Sequence, residues 1–120
     1  LEVRAAGLAA QRRTETNLIE MRGAMFDPAL DELQTMLAAH AAFHSAVASA
    51  TGNPLFEHFT RPLYHVAYGE DLMVNPPHGY WTRIDADHRE LIACLAARDP
   101  DAAATVGRRH LDYIAVAGHR

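Results

Sequence analysis

The chain contains no lysine; all 11 of its basic residues are arginine, which together with its alanine richness reads as a compositional bias of the source genome rather than as physics. It has a single cysteine, Cys94, so an internal disulfide is excluded, and the expectation is a reducing, cytoplasmic compartment. No apolar run approaches the ~20 residues that span a bilayer, and no signal peptide opens the chain, so no membrane partner is expected. Basic charge is also short: the net charge is -4, and the surface as a whole does not suit nucleic acid. No strand-like alternation, internal repeat or low-complexity tract is present. Several catalytic signatures are missing too. There is no Gly-x-Ser-x-Gly, no glycine-rich phosphate loop and no Cys–His pairing of the nucleophilic kind. Cys94 lies beside an apolar helical face and reads as an inert core residue.

What the chain does have is helical periodicity. Its 120 residues suffice for one domain with one core. Residues 1–13 place Leu1, Ala5, Leu8 and Ala9 on one face. Thr14 or Thr16 caps a second helix bearing Leu18, Met21 and Met25. Asp27-Pro28 is an N-cap followed by proline, which predicts a third helix over about 29–51 with the stripe Leu33, Met36, Leu37, His40, Phe43, His44, Val47. Gly52 then supplies a left-handed stop, and Asn53-Pro54 starts helix four, with Leu55, Phe56, Phe59, Leu63 and Val66 on its apolar face and a bend at Pro62. A loop over 74–79 precedes helix five, about 80–97, with Ile84, His88, Leu91, Ile92 and Leu95. Asp99-Pro100 repeats the cap-and-proline device before helix six, which aligns Ala103, Val106, Gly107, His110, Ile114 and Ala117 and closes at Gly118. The expected fold is all-α: an antiparallel bundle of about six helices enclosing a ligand or metal cavity, as one domain over 1–120.

Four of the eight histidines fall on these inward stripes: His40 and His44 on helix three, His88 on helix five, His110 on helix six. His40 and His44, four apart, stand about 6 Å apart along the axis, a spacing at which two imidazoles can grip one ion. Any one of them alone reads as a core histidine hydrogen-bonded to backbone or water. Four unpartnered imidazoles in one core would each cost on the order of 1–3 kcal/mol, and a shared metal removes that cost. His58 and His65 lie near the edge of helix four, His78 in a loop and His119 at the end of the chain. His40-Ala41-Ala42-Phe43-His44 lacks the glutamate of His-Glu-x-x-His, and Glu-x-x-His repeats of the di-iron kind are absent. Asp85 and Asp87, just before His88, read as favouring the helix N-terminus or as orienting an imidazole from behind.

These motifs fall in a familiar order. The opening Leu1-Glu2-x-x-Ala5-Ala6-x-Leu8-Ala9-Ala10-x-Arg12, the block Phe43-His44 with Ala48-x-x-Thr51-Gly52-Asn53-Pro54, and the closing His88-x-x-Leu91-Ile92-x-Cys94-Leu95-x-Ala97-x-Asp99, Ala102-Ala103 and His110-Leu111 recur as a set. Together they resemble the C-terminal effector-binding domain of the FadR subgroup of GntR transcription regulators. The resemblance implies a helical bundle that senses a small organic acid, dimerises, and holds a divalent metal through one Asp and three His. Carried over, those histidines are His44, His88 and His110. The expected Asp, four residues before the first of them, is His40 here. Four neutral imidazoles leave a divalent ion at +2 rather than +1, and favour Zn or Ni over Mn. Arg61, Arg83 and Tyr64 are candidates for contact with the effector carboxylate.

Leu1-Glu2-Val3-Arg4-Ala5-Ala6 begins inside a helical pattern without a cap or an initiating methionine. The expectation is therefore a fragment of something longer, and the resemblance implies a winged helix-turn-helix domain ahead of it, through which alone DNA would be bound. Regulation, not catalysis, is the expected role. Two alternatives stay open at this level: a metal-dependent helical-bundle enzyme, and a metal-free member of the same subgroup that takes an acyl or other apolar ligand.

Overall fold

The structure, a computed structural model, describes residues 2–58 and 75–118. Among these residues there are six helical segments and no strand: α1 (Glu2–Arg12), α2 (Glu15–Gly23), α3 (Leu33–Ala50), α4 (54–58), α5 (Tyr80–Ala96) and α6 (Pro100–Gly118). The all-α expectation is met. The apolar faces of helix four from Phe59 onward, and the proposed bend at Pro62, lie outside the described residues.

Local signals explain most boundaries. Thr14 is the N-cap of α2: its hydroxyl accepts from the Asn17 backbone N–H at 3.1 Å, and the Asn17 side chain accepts from the Thr14 N–H at 2.8 Å. Asp99 caps α6 by accepting from the Ala102 N–H, with Pro100 at the first helical position. Gly52 adopts φ +71° after α3, where a side chain would be strained. Asn53 then accepts from the Leu55 N–H and opens α4.

The third helix corrects the sequence reading. It starts at Leu33, not near residue 29. Asp27 does act as a cap, accepting from the Ala29 N–H, but the turn it begins closes on itself. The Asp31 carboxylate accepts from the Asp27 N–H at 2.7 Å, and the Leu30 and Asp31 N–H groups donate to the Asp27 carbonyl. With its polar groups satisfied internally and Leu30 left exposed, this turn has no apolar face to extend. Leu55, expected on an apolar face, is exposed as well; Phe56 beside it is buried.

Packing divides the helices by side-chain size. Buried Ala5, Ala6, Ala9 and Ala10 let α1 lie closely against α6 and α3. The backbone of α3 approaches those of α5 and α6 much less, and larger side chains span the space between them. Those side chains form layers. One apolar layer holds Phe43, Val47, Leu91, Ile92, Leu95, Ala103 and Val106; another holds Phe26, Met36, Tyr80, Trp81, Ile84, Ile114 and Ala117. Along α3 and α5 the chain passes from the second layer to the first, and along α6 from the first to the second. The run of α6 is therefore antiparallel to α5, as their three-residue connection over 97–99 requires. On all three helices the histidines occupy the level where one layer gives way to the other.

The ends of the bundle are tied by arginines. Buried Arg13 donates to the carbonyls of Leu95 and Ala96 at 3.0 and 2.7 Å, satisfying the C-terminal end of α5. Arg12 donates to the Thr51 carbonyl after α3, and Arg98 to the Gln11 and Arg13 carbonyls.

A four-histidine candidate metal centre

His40 and His44 are separated by one turn of α3, so their side chains leave the helix on the same face. His88 reaches them from α5 and His110 from α6. All four are buried, none more than 2% exposed. Every pair of ring centroids lies between 4.6 and 5.6 Å apart. One nitrogen from each of the four can be chosen so that all four lie within 4.8 Å of one another. Donor atoms about 2.0–2.1 Å from a shared ion stand at most about 4.2 Å apart, so small rotamer adjustments bring this set to bonding distance.

The environment keeps the His40, His44 and His88 rings neutral. Burial, followed by the neighbouring His44 and His110 rings, holds the His40 imidazole well below its ordinary pKa. Burial and then His110 do the same for His44, and burial followed by the other three rings for His88. A neutral imidazole is the form that donates a lone pair to a metal.

His88 supplies the test of fit. Phe43 stacks on its ring at 3.9 Å between centroids, nearly parallel at 11°, and Phe26 meets it edge-on at 6.3 Å. Among the described residues neither His88 nitrogen has a hydrogen-bond partner, although the residue is fully buried. An imidazole buried this way in apolar surroundings costs free energy, and a metal ion bound by its lone pair offsets that cost. The donor set fits a nitrogen-preferring divalent ion.

Behind the four rings lies a charged network that sequence reasoning had placed differently. From the sequence, Asp85 and Asp87 favour the N-terminus of their helix or orient the imidazole that follows them, His88. Asp87 instead reaches across to α6, where its Oδ2 accepts from His110 Nδ1 at 3.1 Å. Arg83 Nε donates to both Asp87 oxygens, at 3.1 and 3.2 Å, and Arg109 Nη2 donates to Oδ1 at 3.5 Å. Burial pushes the Asp87 carboxyl up, but the bonds and charges of His110 and Arg83 outweigh it and hold it below its usual value. Asp85 pairs with Arg89 along α5 at 2.9 Å.

The other predicted contacts fare unequally. Arg61 and Tyr64 lie outside the described residues, as does His65. Arg83 is bound to Asp87 and its guanidinium covers the Tyr113 ring at 4.5 Å. His58 and His78 lie away from the inward stripes, as expected. Cys94 is partly buried against the apolar core, and burial followed by Glu90 and Asp99 raises its thiol pKa, in keeping with an inert role. Two buried donors carry no signal that the sequence reading used: the Trp81 indole N–H and the Tyr80 hydroxyl, neither with a hydrogen-bond partner among the described residues. The Trp81 ring meets His40 edge-on at 6.0 Å. The i, i+7 spacing of Trp81 and His88 on one helix face is the signal that marks it.

The family model of the FCD domain matches residues 1–113. No curated protein matches the chain. Among the described residues no helix is long and apolar enough to cross a membrane.

Proposed function

Since the chain belongs to the FCD-domain family, the effector-binding domains of GntR-type regulators, we propose that it senses a small organic acid at a divalent metal held by His40, His44, His88 and His110. The observation that carries this reading is the convergence of four buried imidazoles from three helices, with donor atoms within 4.8 Å. Zn or Ni suits an all-nitrogen set best. When bound, the ion supplies a Lewis-acidic positive centre to which a carboxylate can attach.

The chain's own residues shape what binds there. Four neutral ligands cancel none of the ion's charge, so an anion is favoured. The paired Asp87 carboxylate is engaged by Arg83 and Arg109 and so offsets little of that attraction. The Trp81 ring meets His40 edge-on, and its indole N–H, without a hydrogen-bond partner among the described residues, suits a ligand that brings an acceptor. Arg61 and Tyr64 are the side chains proposed to meet the effector carboxylate, whereas Arg83 is engaged with Asp87 and Tyr113.

Regulation follows from where the site lies. The histidines come from α3, α5 and α6, so a ligand that tightens the cluster favours one arrangement of those helices over another. In a homodimer joined to a winged-helix domain, that bias would alter how the DNA-binding modules are held. Thermal-shift measurements against an organic-acid panel test the sensing claim. A stabilising acid whose effect vanishes with chelator and in His44→Ala supports it. A hit that persists in both places the effector away from the histidines.

A further inference from the structure

Asp87 sits on α5 next to His88, yet its bonds go to α6 and to two arginines. Its two oxygens are divided between them. Oδ1 faces Arg83 and Arg109, and Oδ2 faces His110 Nδ1, with Arg83 Nε shared. Arg109 also bonds Glu90, which anchors this network at the surface. The Asp87–His110 bond itself is buried, its residues 3% and 2% exposed.

A carboxylate accepts hydrogen bonds and does not donate them. The hydrogen between Asp87 and His110 therefore belongs to His110 Nδ1. A neutral His110 with its hydrogen there carries its lone pair on Nε2, the atom that lies 3.2 Å from His44 Nε2 inside the cluster. We propose that Asp87 is a positioning residue for the four-histidine centre: it fixes the His110 tautomer and ring orientation so that the Nε2 lone pair faces the other donors. This rests on the metal reading above, but half of its test needs no metal.

The network makes the outcome of a single-atom change specific. In Asp87→Asn the amide oxygen takes the place facing the two arginines, which can only donate. The amide NH2 is left facing His110 Nδ1, which must then accept. The His110 hydrogen moves to Nε2, and the lone pair points out of the cluster. Asp85→Asn removes the same charge two residues earlier, from a pair with exposed Arg89, and serves as the control for charge alone.

The experiment combines long-range 15N–1H NMR of the histidine side chains in chelated protein with titration of Zn into the same samples, at a pH above the imidazole range. In the wild-type chain His110 is expected as the Nδ1–H tautomer. In Asp87→Asn it is expected as Nε2–H, with Zn affinity about 10–100-fold weaker, while Asp85→Asn stays within about twofold of wild type. A wild-type Nε2–H tautomer overturns the proposal, and so does an Asp87→Asn protein with unchanged affinity or an equal loss in Asp85→Asn. If Asp87→Asn does not fold, the wild-type tautomer decides. If wild-type protein binds no Zn, the sensing proposal falls, while the tautomer still tests the role of Asp87.

Discussion

His44 and His110, 66 residues apart in sequence, bring their Nε2 atoms to 3.2 Å with their rings nearly parallel at 12°. Only one hydrogen fits between those two nitrogens. Since Asp87 places the His110 hydrogen on the far side of the ring, the one in between belongs to His44. The pair is thus a hydrogen bond that a metal would replace, and its two nitrogens are already at the separation of two ligands on one ion.

His40 is where this chain departs from the ligand pattern that its family resemblance implies. His40→Asp restores a carboxylate and removes one positive unit from the net charge of the loaded site. Relative affinity for Mn over Ni is expected to rise by about tenfold or more, as oxygen replaces nitrogen in the set. Competitive titration of the two ions into wild-type and variant protein measures it. An unchanged ratio would show that His40 does not contact the ion.

Protonation provides a second check. His40, His44 and His88 are all held below the ordinary imidazole pKa of 6.5 in the folded chain, chiefly by burial. Below about pH 6.5 the unfolded chain therefore binds more protons than the folded one, and stability rises with pH through that window. Chelated protein should keep its full melting temperature above about pH 6.5 and lose it progressively on acidification towards about pH 5. A melting temperature constant over that window would mean that the rings are not buried as a neutral cluster.

Arg13 makes a claim about the scaffold alone. Its guanidinium is 9% exposed and satisfies two carbonyls at the end of α5, so Arg13→Ala leaves both without that donor. The expected loss is about 2–3 kcal/mol by urea denaturation. Its ion pair with Glu15 matters little, because Glu15 is 79% exposed. Glu15→Ala should cost less than about 0.5 kcal/mol. Equal effects of the two substitutions would contradict this division.

The helices and the four histidines were legible in the sequence because both depend on local periodicity. A residue at i, i+4 or i+7 shares a face whatever the rest of the chain does, and His40, His44, His88 and His110 follow that rule. The start of α3 was misread because Asp27-Pro28 is a valid cap, and only the return bond from Asp31 shows that the turn closes early. Leu55 was misplaced for a related reason: apolar character does not say which side of a short segment faces the core. The partner of Asp87 was not legible at all. It is set by how α5 and α6 pack, 23 residues apart in sequence, and adjacency to His88 pointed to the wrong ring. Arg13 was invisible for the same reason, since its carbonyl partners lie more than 80 residues away.

The central claim is that the four histidines form one metal centre, and the metal content of protein purified without an immobilised-metal column tests it most directly. The account predicts a stoichiometric divalent ion, a fall in melting temperature on chelation, recovery on adding Zn or Ni, and loss of both ion and response in His44→Ala and His110→Ala. Metal-free protein whose melting is unmoved by chelator or added ion would contradict it, as would variants that retain the wild-type metal content.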